Sequence, residues 1–290
     1  MVHREALARR TAYAGRALID RTLSPSKRLG TGPFARLRPM RFLSLLLVSV
    51  LFCAACATTA SGPDYAREKR WADEVTPGLV VGEAVTLRSG EKPGFLGLYT
   101  PAARNNKGAV ILVHGMGVHP DFGAIGELRA LLADRGYATL SIQMPVLASD
   151  APAEGYPELF TEAGERIDAA LAWIRAKEKG RLAIVSHSMG ARMTLAWIQR
   201  RPNAPIGAWV ALSISTGEID DLPRIRFPVF DVYAEKDFPQ VIARAHDRSL
   251  VLRGIPGSSQ AMIYGTDHYF GGREKELAAL LDQLLARELR

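Results

Sequence analysis

The sequence predicts an α/β fold, with a mostly parallel central sheet of about eight strands flanked by helices. Three observations point there. From about residue 76 onward, short apolar or period-two runs alternate with stretches of period 3.6. The run Gly108-Ala-Val-Ile-Leu-Val113 is continuously apolar, as a strand covered on both faces must be. The composition, 48% hydrophobic and 23% charged over 290 residues, excludes disordered, collagen-like and coiled-coil chains.

The elements follow in order. Residues 80–87 and 94–100 read as two strands joined across Ser89-Gly90 and Pro93, a hairpin pattern. Strand 108–113 leads to a helix over 122–135, with Leu128, Leu131 and Leu132 on one face. Strand 137–142 leads to helix 161–177, where Ile167, Ala170, Leu171 and Ile174 take the i, i+3, i+4, i+7 positions. Strand 181–186 runs into helix 189–200. Strand 207–213, strand 228–234, helix 239–250, strand 260–264 and helix 273–289 complete the series. Strands alternating with helices imply right-handed crossovers. One domain is expected over 78–290, preceded by a small, polar tether at 56–77.

Charge is placed unevenly. Residues 1–39 carry nine Lys+Arg and two acids, which accounts for the whole net charge of +7; residues 40–290 hold 28 bases and 28 acids. The predicted domain is therefore balanced, and no nucleic-acid face is expected on it. Met40-Arg41 opens a second pattern: a 14-residue apolar run over 42–55, ending in Ala54-Ala55 before Cys56. Positive start, short apolar run and small residues at its end make a signal peptide. The run is short for a membrane span, which needs about 20 residues.

The end of the run resembles a bacterial lipoprotein signal. The resemblance implies that Cys56 is lipidated and anchors an exported protein to a membrane, facing the periplasm. Cys53, where an aliphatic residue is usual, departs from that pattern. Ordinary cleavage and an uncleaved anchor are the alternatives. A redox or zinc reading of Cys53-Ala-Ala-Cys56 lacks a second ligand pair. The basic leader 1–39 fits translation from Met40 better than a transit peptide, because an export signal follows it.

No cysteine follows Cys56, which excludes a thiol nucleophile, an iron–sulfur cluster and a structural disulfide from the domain. No metal-ligand spacing and no Gly-rich phosphate loop is present, so neither metal nor cofactor is expected.

Chemistry gathers at strand ends. Ser186-His187-Ser188-Met189-Gly190 stands where strand 181–186 becomes helix 189–200. It is close to the G-x-S-x-G nucleophile elbow, with Ser186 as the small residue before the turn and Gly190 after it. Val113-His114-Gly115-Met116-Gly117 follows strand 108–113, Asp237 follows strand 228–234, and His268 follows strand 260–264. Singly these are weak: Asp237 suits a helix N-cap, and His268 a surface histidine. Their order, Ser188, Asp237, His268, is that of the α/β-hydrolase superfamily.

Over about residues 78–290 the chain resembles that superfamily. The resemblance implies a serine hydrolase of carboxylesterase type, cleaving an ester or thioester through an acyl-enzyme. Ser188 would be nucleophile, His268 base and Asp237 its orienting acid, with Asp231, Glu235 and Asp267 as competing acids. The backbone N–H groups of Met116 and Met189 would hold the oxyanion. His114 and His187 are expected to pack or hydrogen-bond near the elbow, and His119 is a candidate pocket residue.

Residues 214–227 are too few for a helical cap, which leaves loop 143–160 as the only candidate cover. An open site favours small or polar acyl esters, thioesters or an ester on an envelope polymer. Two other functions remain open: a catalytically silent binding or assembly protein of the envelope, and an acyltransferase or perhydrolase on the same triad.

Overall fold

The computed structural model describes residues 62–215, 222 and 225–289. These residues fall in one compact unit, Thr58–Arg290. The basic leader, the signal segment and Cys56 lie outside the described residues, as does part of 214–227.

Eight strands form one sheet in the order β1-β2-β4-β3-β5-β6-β7-β8. They are β1 (Glu83–Leu87), β2 (Phe95–Thr100), β3 (Ala109–Val113), β4 (Ala138–Ile142), β5 (Leu182–His187), β6 (Ala208–Leu212), β7 (Val229–Lys236) and β8 (Ser259–Asp267). The β1–β2 hairpin and the β2–β4 pair are antiparallel; every other pairing is parallel. Strands β3 and β6, inside the parallel part of the sheet, read as unbroken apolar runs because both sheet faces are covered there. Along β3, Ala109, Ile111 and Val113 enter one core, and Val110 and Leu112 the other.

Helices α3 (Phe160–Lys177) and α4 (Met189–Arg200) cover the first face, and α2 (Gly123–Asp134) and α7 (Glu274–Glu288) the second. The order reverses at β3, with β4 on one side and β5 on the other. In open α/β sheets this switch point opens a crevice beyond the strand C-termini. Val113 pairs in register with Ser186, so the loops leaving β3 and β5 emerge side by side.

Three expectations need correction. The segment expected to be a tether up to residue 77 contains helix α1 (Tyr65–Val75), capped by Asp64, whose side chain accepts the Arg67 N–H. Apolar periodicity misses α1 because it docks through charge. Glu68 is its buried residue, paired at 2.8 Å with Arg166 Nη1, while Nη2 of the same guanidinium holds Glu162. Helix 239–250 is two helices, α5 (Pro239–Ala243) and α6 (Ala245–Leu252), because Arg244 leaves helical geometry at φ −98°, ψ 1°. The loop 143–160 is not a loose cover; Met144, Val146 and Leu147 are buried, and Ala153–Leu159 form a 3-10 turn.

Candidate active site

Strand β5 ends at His187 and α4 begins at Met189, leaving Ser188 alone in the turn at φ 54°, ψ −119°. A non-glycine residue held there costs about 1–3 kcal/mol and persists only where its surroundings enforce it. The turn brings backbone so close that a Cβ on Gly190 would lie 2.2 Å from the His114 carbonyl oxygen. Only glycine fits. Ser186, the departure from the G-x-S-x-G pattern, is fully buried, and its Oγ accepts the Trp209 indole N–H at 2.8 Å. A buried indole needs such an acceptor, so serine at this position serves the core.

Three side chains from three strand ends form one hydrogen-bonded run. Ser188 Oγ lies 2.9 Å from His268 Nε2, and His268 Nδ1 lies 2.6 Å from Asp237 Oδ1. With the ring proton on Nδ1, the imidazole donates to Asp237 and accepts from Ser188. Asp237 also accepts from Phe238 N at 2.8 Å and Ala234 N at 3.0 Å. Ser213 Oγ donates to its other oxygen, from a left-handed residue just past β6 (φ 52°). Burial alone would raise the Asp237 carboxyl. The hydrogen bonds from His268, Ser213 and Ala234 outweigh it and hold the group below its ordinary range.

The competing acids are engaged elsewhere. Asp231 pairs with Arg248 Nε at 2.8 Å in the middle of β7. Glu235 accepts the Gly265 N–H at 2.9 Å, and Asp267 the Tyr269 N–H at 3.0 Å.

Two further histidines brace the run. His114 is fully buried; its Nδ1–H donates to Gly115 O at 2.8 Å and its Nε2 accepts Met144 N–H at 2.9 Å. Burial pushes it down to about 3. His187 Nε2–H donates to the His268 carbonyl at 2.9 Å. Burial, reinforced by the neighbouring His268, pushes it down to about 4. Both stay neutral near pH 7 and act as fixed hydrogen-bonding groups.

The loop after β3 passes directly beside the elbow. A Cβ on Gly115 would stand 3.1 Å from His187 Nδ1 and 3.4 Å from Ser188 Cβ. Among the described residues, no backbone acceptor takes the N–H of Met116 or of Met189. The same loop is held from α1, where Arg67 donates at 2.9 Å to Gly117 O and at 2.9 Å to Leu147 O. Sequence reasoning missed Arg67 together with its helix.

A cavity of about 100 Å³ opens onto Ser188, lined by Met116, Val118, Phe122, Ile125, Phe238 and Tyr269 among others, with no charged side chain. His119 is not part of it, contrary to expectation. Its ring packs 5.7 Å from Trp71 of α1 and 5.8 Å from Phe122. Loop 143–160 contributes no lining residue either. The aromatic rim has no sequence signature: Phe238 and Tyr269 each adjoin a member of the hydrogen-bonded run in sequence, but nothing local fixes where their rings point. Among the described residues, no group of three His, Cys, Asp or Glu could hold a metal ion.

Comparisons with known proteins agree with this architecture. A family model described as "Alpha/beta hydrolase family" matches residues 110–289, and one described as a protein of unknown function matches 43–164. Protein ABHD14A of Homo sapiens is 26% identical over 229 residues, 78% of each chain. Dienelactone hydrolase from Anabaena variabilis superposes with TM-score 0.57 at 22% identity, over 71% of this chain and 97% of that one. Est1E from Butyrivibrio proteoclasticus gives 0.57 at 13% identity, over 71% and 98%. XC6422 from Xanthomonas campestris, described as an α/β serine hydrolase without lid, gives 0.56 at 15%, over 73% and 96%. The structural likenesses are likenesses of fold, and they join the strand order and the family match over 110–289: the chain belongs to the α/β-hydrolase family.

Proposed function

We propose that the protein is a serine hydrolase of carboxylesterase type acting on esters or thioesters with a small acyl group. The observation that carries this reading is the continuous run Ser188–His268–Asp237, at 2.9 and 2.6 Å, with Ser188 held at positive φ. Ser188 Oγ attacks the acyl carbon while His268 Nε2 takes its proton. Asp237 holds the imidazole in the required tautomer and stabilises the imidazolium. The N–H groups of Met116 and Met189 receive the oxyanion, each contributing about 3–4 kcal/mol to the transition state. His268 then protonates the leaving group, and a water activated by the same nitrogen releases the acid.

The size of the acyl group follows from the cavity. About 100 Å³ is well below the range of roughly 300–1,000 Å³ that encloses a drug-sized ligand. A fluorophosphonate probe tests the reading: a covalent adduct on Ser188, absent from Ser188→Ala, is expected. A folded protein that gains no adduct overturns it.

We further propose, from the pattern Ala54-Ala55-Cys56, that the protein is exported and membrane-anchored by lipid on Cys56. Mass spectrometry of the mature N-terminus tests this. An unmodified cysteine, or a chain still carrying residues 40–55, would refute it.

A further inference from the structure

The leaving group in the proposed reaction has a definite place. Its oxygen must take a proton from His268 Nε2, so its first atoms lie on the His268 side of Ser188. The acyl oxygen faces Met116 and Met189 on the other. What flanks His268 therefore selects the alcohol.

Two rings flank it. Phe238 stacks on the imidazole, with centroids 3.9 Å apart and planes at 16°. Tyr269 stands edge-on to the imidazole at 5.3 Å and 88°, and to Phe238 at 6.2 Å and 90°. Together they form a right-angled corner. Both remain open to solvent, Phe238 at 39% and Tyr269 at 55%. Their backbones are pinned, because the Phe238 N–H is bonded to Asp237 and the Tyr269 N–H to Asp267. An exposed aromatic pair beside a reactive group is a binding feature more than a packing one. One face of Phe238 is covered by His268. Its outer face and the ring of Tyr269 offer a third ring the stacked and edge-to-face geometries that aromatic quadrupoles favour. With no charged side chain lining the cavity, an uncharged partner is selected.

We propose that the leaving alcohol is an aryl alcohol, seated in the Phe238–Tyr269 corner, while a short uncharged acyl group points toward Val118 and Ile125. The step balances without a co-reactant. Ser188 Oγ bonds to the acyl carbon, the aryl–oxygen to acyl bond breaks, and the Ser188 proton passes through His268 to the departing phenol. Water then cleaves the acyl-serine. This rests on the serine-hydrolase reading above.

The test uses the full-length protein and two acetates whose leaving alcohols are of similar acidity, phenyl acetate and hexafluoroisopropyl acetate. The wild type is expected to favour the phenyl ester in kcat/KM by about tenfold, and Tyr269→Leu to lose most of that ratio. Phenol is expected to inhibit competitively at lower concentration than cyclohexanol. This second measurement needs no variant and so does not depend on Tyr269→Leu folding. A wild-type ratio near one, an unchanged ratio in Tyr269→Leu, or equal inhibition by the two alcohols overturns the aryl assignment. Fluorophosphonate labelling keeps the two ideas apart. Labelled Ser188 with no aryl preference sinks this proposal alone, whereas an unlabelled Ser188 sinks the hydrolase reading beneath it.

Discussion

Asp231 and Asp237 leave the same region of chain six residues apart, one within β7 and one just past its end. Both are buried, at 0% and 6% exposure, and both are paired. Asp231 faces Arg248 Nε at 2.8 Å and Gln260 Nε2 at 2.7 Å, with Oδ1 left without a hydrogen bond. Burial outweighs the Arg248 guanidinium and raises its carboxyl. Asp237 meets His268, Ser213 and two backbone N–H groups, and its carboxyl is lowered. Burial does not separate the two; the partner does. A guanidinium never gives up its proton, so Asp231 can only fasten α6 to the sheet. An imidazole gives and takes one, so Asp237 can serve a proton transfer, and its place at the strand's C-terminal edge puts that transfer in the crevice.

The sharpest way to break this contrast is to neutralise each in turn. Asp237→Asn is expected to lower kcat on a short acyl ester by about 10⁴-fold through the wrong histidine tautomer. Asp231→Asn is expected to keep kcat near wild type but to destabilise the protein by about 3–5 kcal/mol, since Arg248 is left buried without its counter-charge. Ester kinetics and urea unfolding on both variants decide it. Comparable losses of activity would erase the distinction.

Acidity sharpens the contrast. His114 and His187 have folded values of about 3 and about 4, against 6.5 for a free histidine. The unfolded chain therefore takes up their protons first, and stability falls as pH drops from 6.5 toward 3. Asp237 acts lower down. Its lowered carboxyl stabilises the fold above 3.8, and that contribution disappears as pH falls through its folded value. Replacing His187 with Gln should flatten the upper part of the slope, between pH 6 and 4, by about 1.4 kcal/mol per pH unit. Denaturant midpoints across that window check it.

Smaller effects probe the supports. Arg67→Met should release the Gly117 carbonyl and lower kcat by roughly ten- to a hundredfold with KM little changed, because the N–H of Met116 shifts from the oxyanion. Ser186→Gly would restore the usual elbow residue yet cost about 1–3 kcal/mol, since the Trp209 N–H loses its acceptor. A thermal melt alongside kcat distinguishes that loss from a catalytic one.

Much of this is legible in the sequence. The inner strands β3 and β6 announce themselves as unbroken apolar runs, and the motifs around Ser188, Asp237 and His268 lie at strand ends, where α/β sheets place their chemistry. Chain neighbours and periodicity carry that information. What they cannot carry is which distant group meets which. Helix α1 carries no apolar periodicity because its key contact is a charge, Glu68, whose partner Arg166 lies 98 residues away. His119 stands close in sequence to the loop after β3, but its ring turns toward Trp71. Ser213, one of the groups that lower Asp237, carries no motif at all. The one-dimensional pattern determines the layers and places Ser188, Asp237 and His268 at strand ends, because covalent spacing and hydrophobic burial dictate both. Only folding in three dimensions chose the bracing histidines, the Arg67 clasp and the aromatic corner, because hydrogen bonds and ring packing depend on direction across the sheet edge, and direction is not written in spacing.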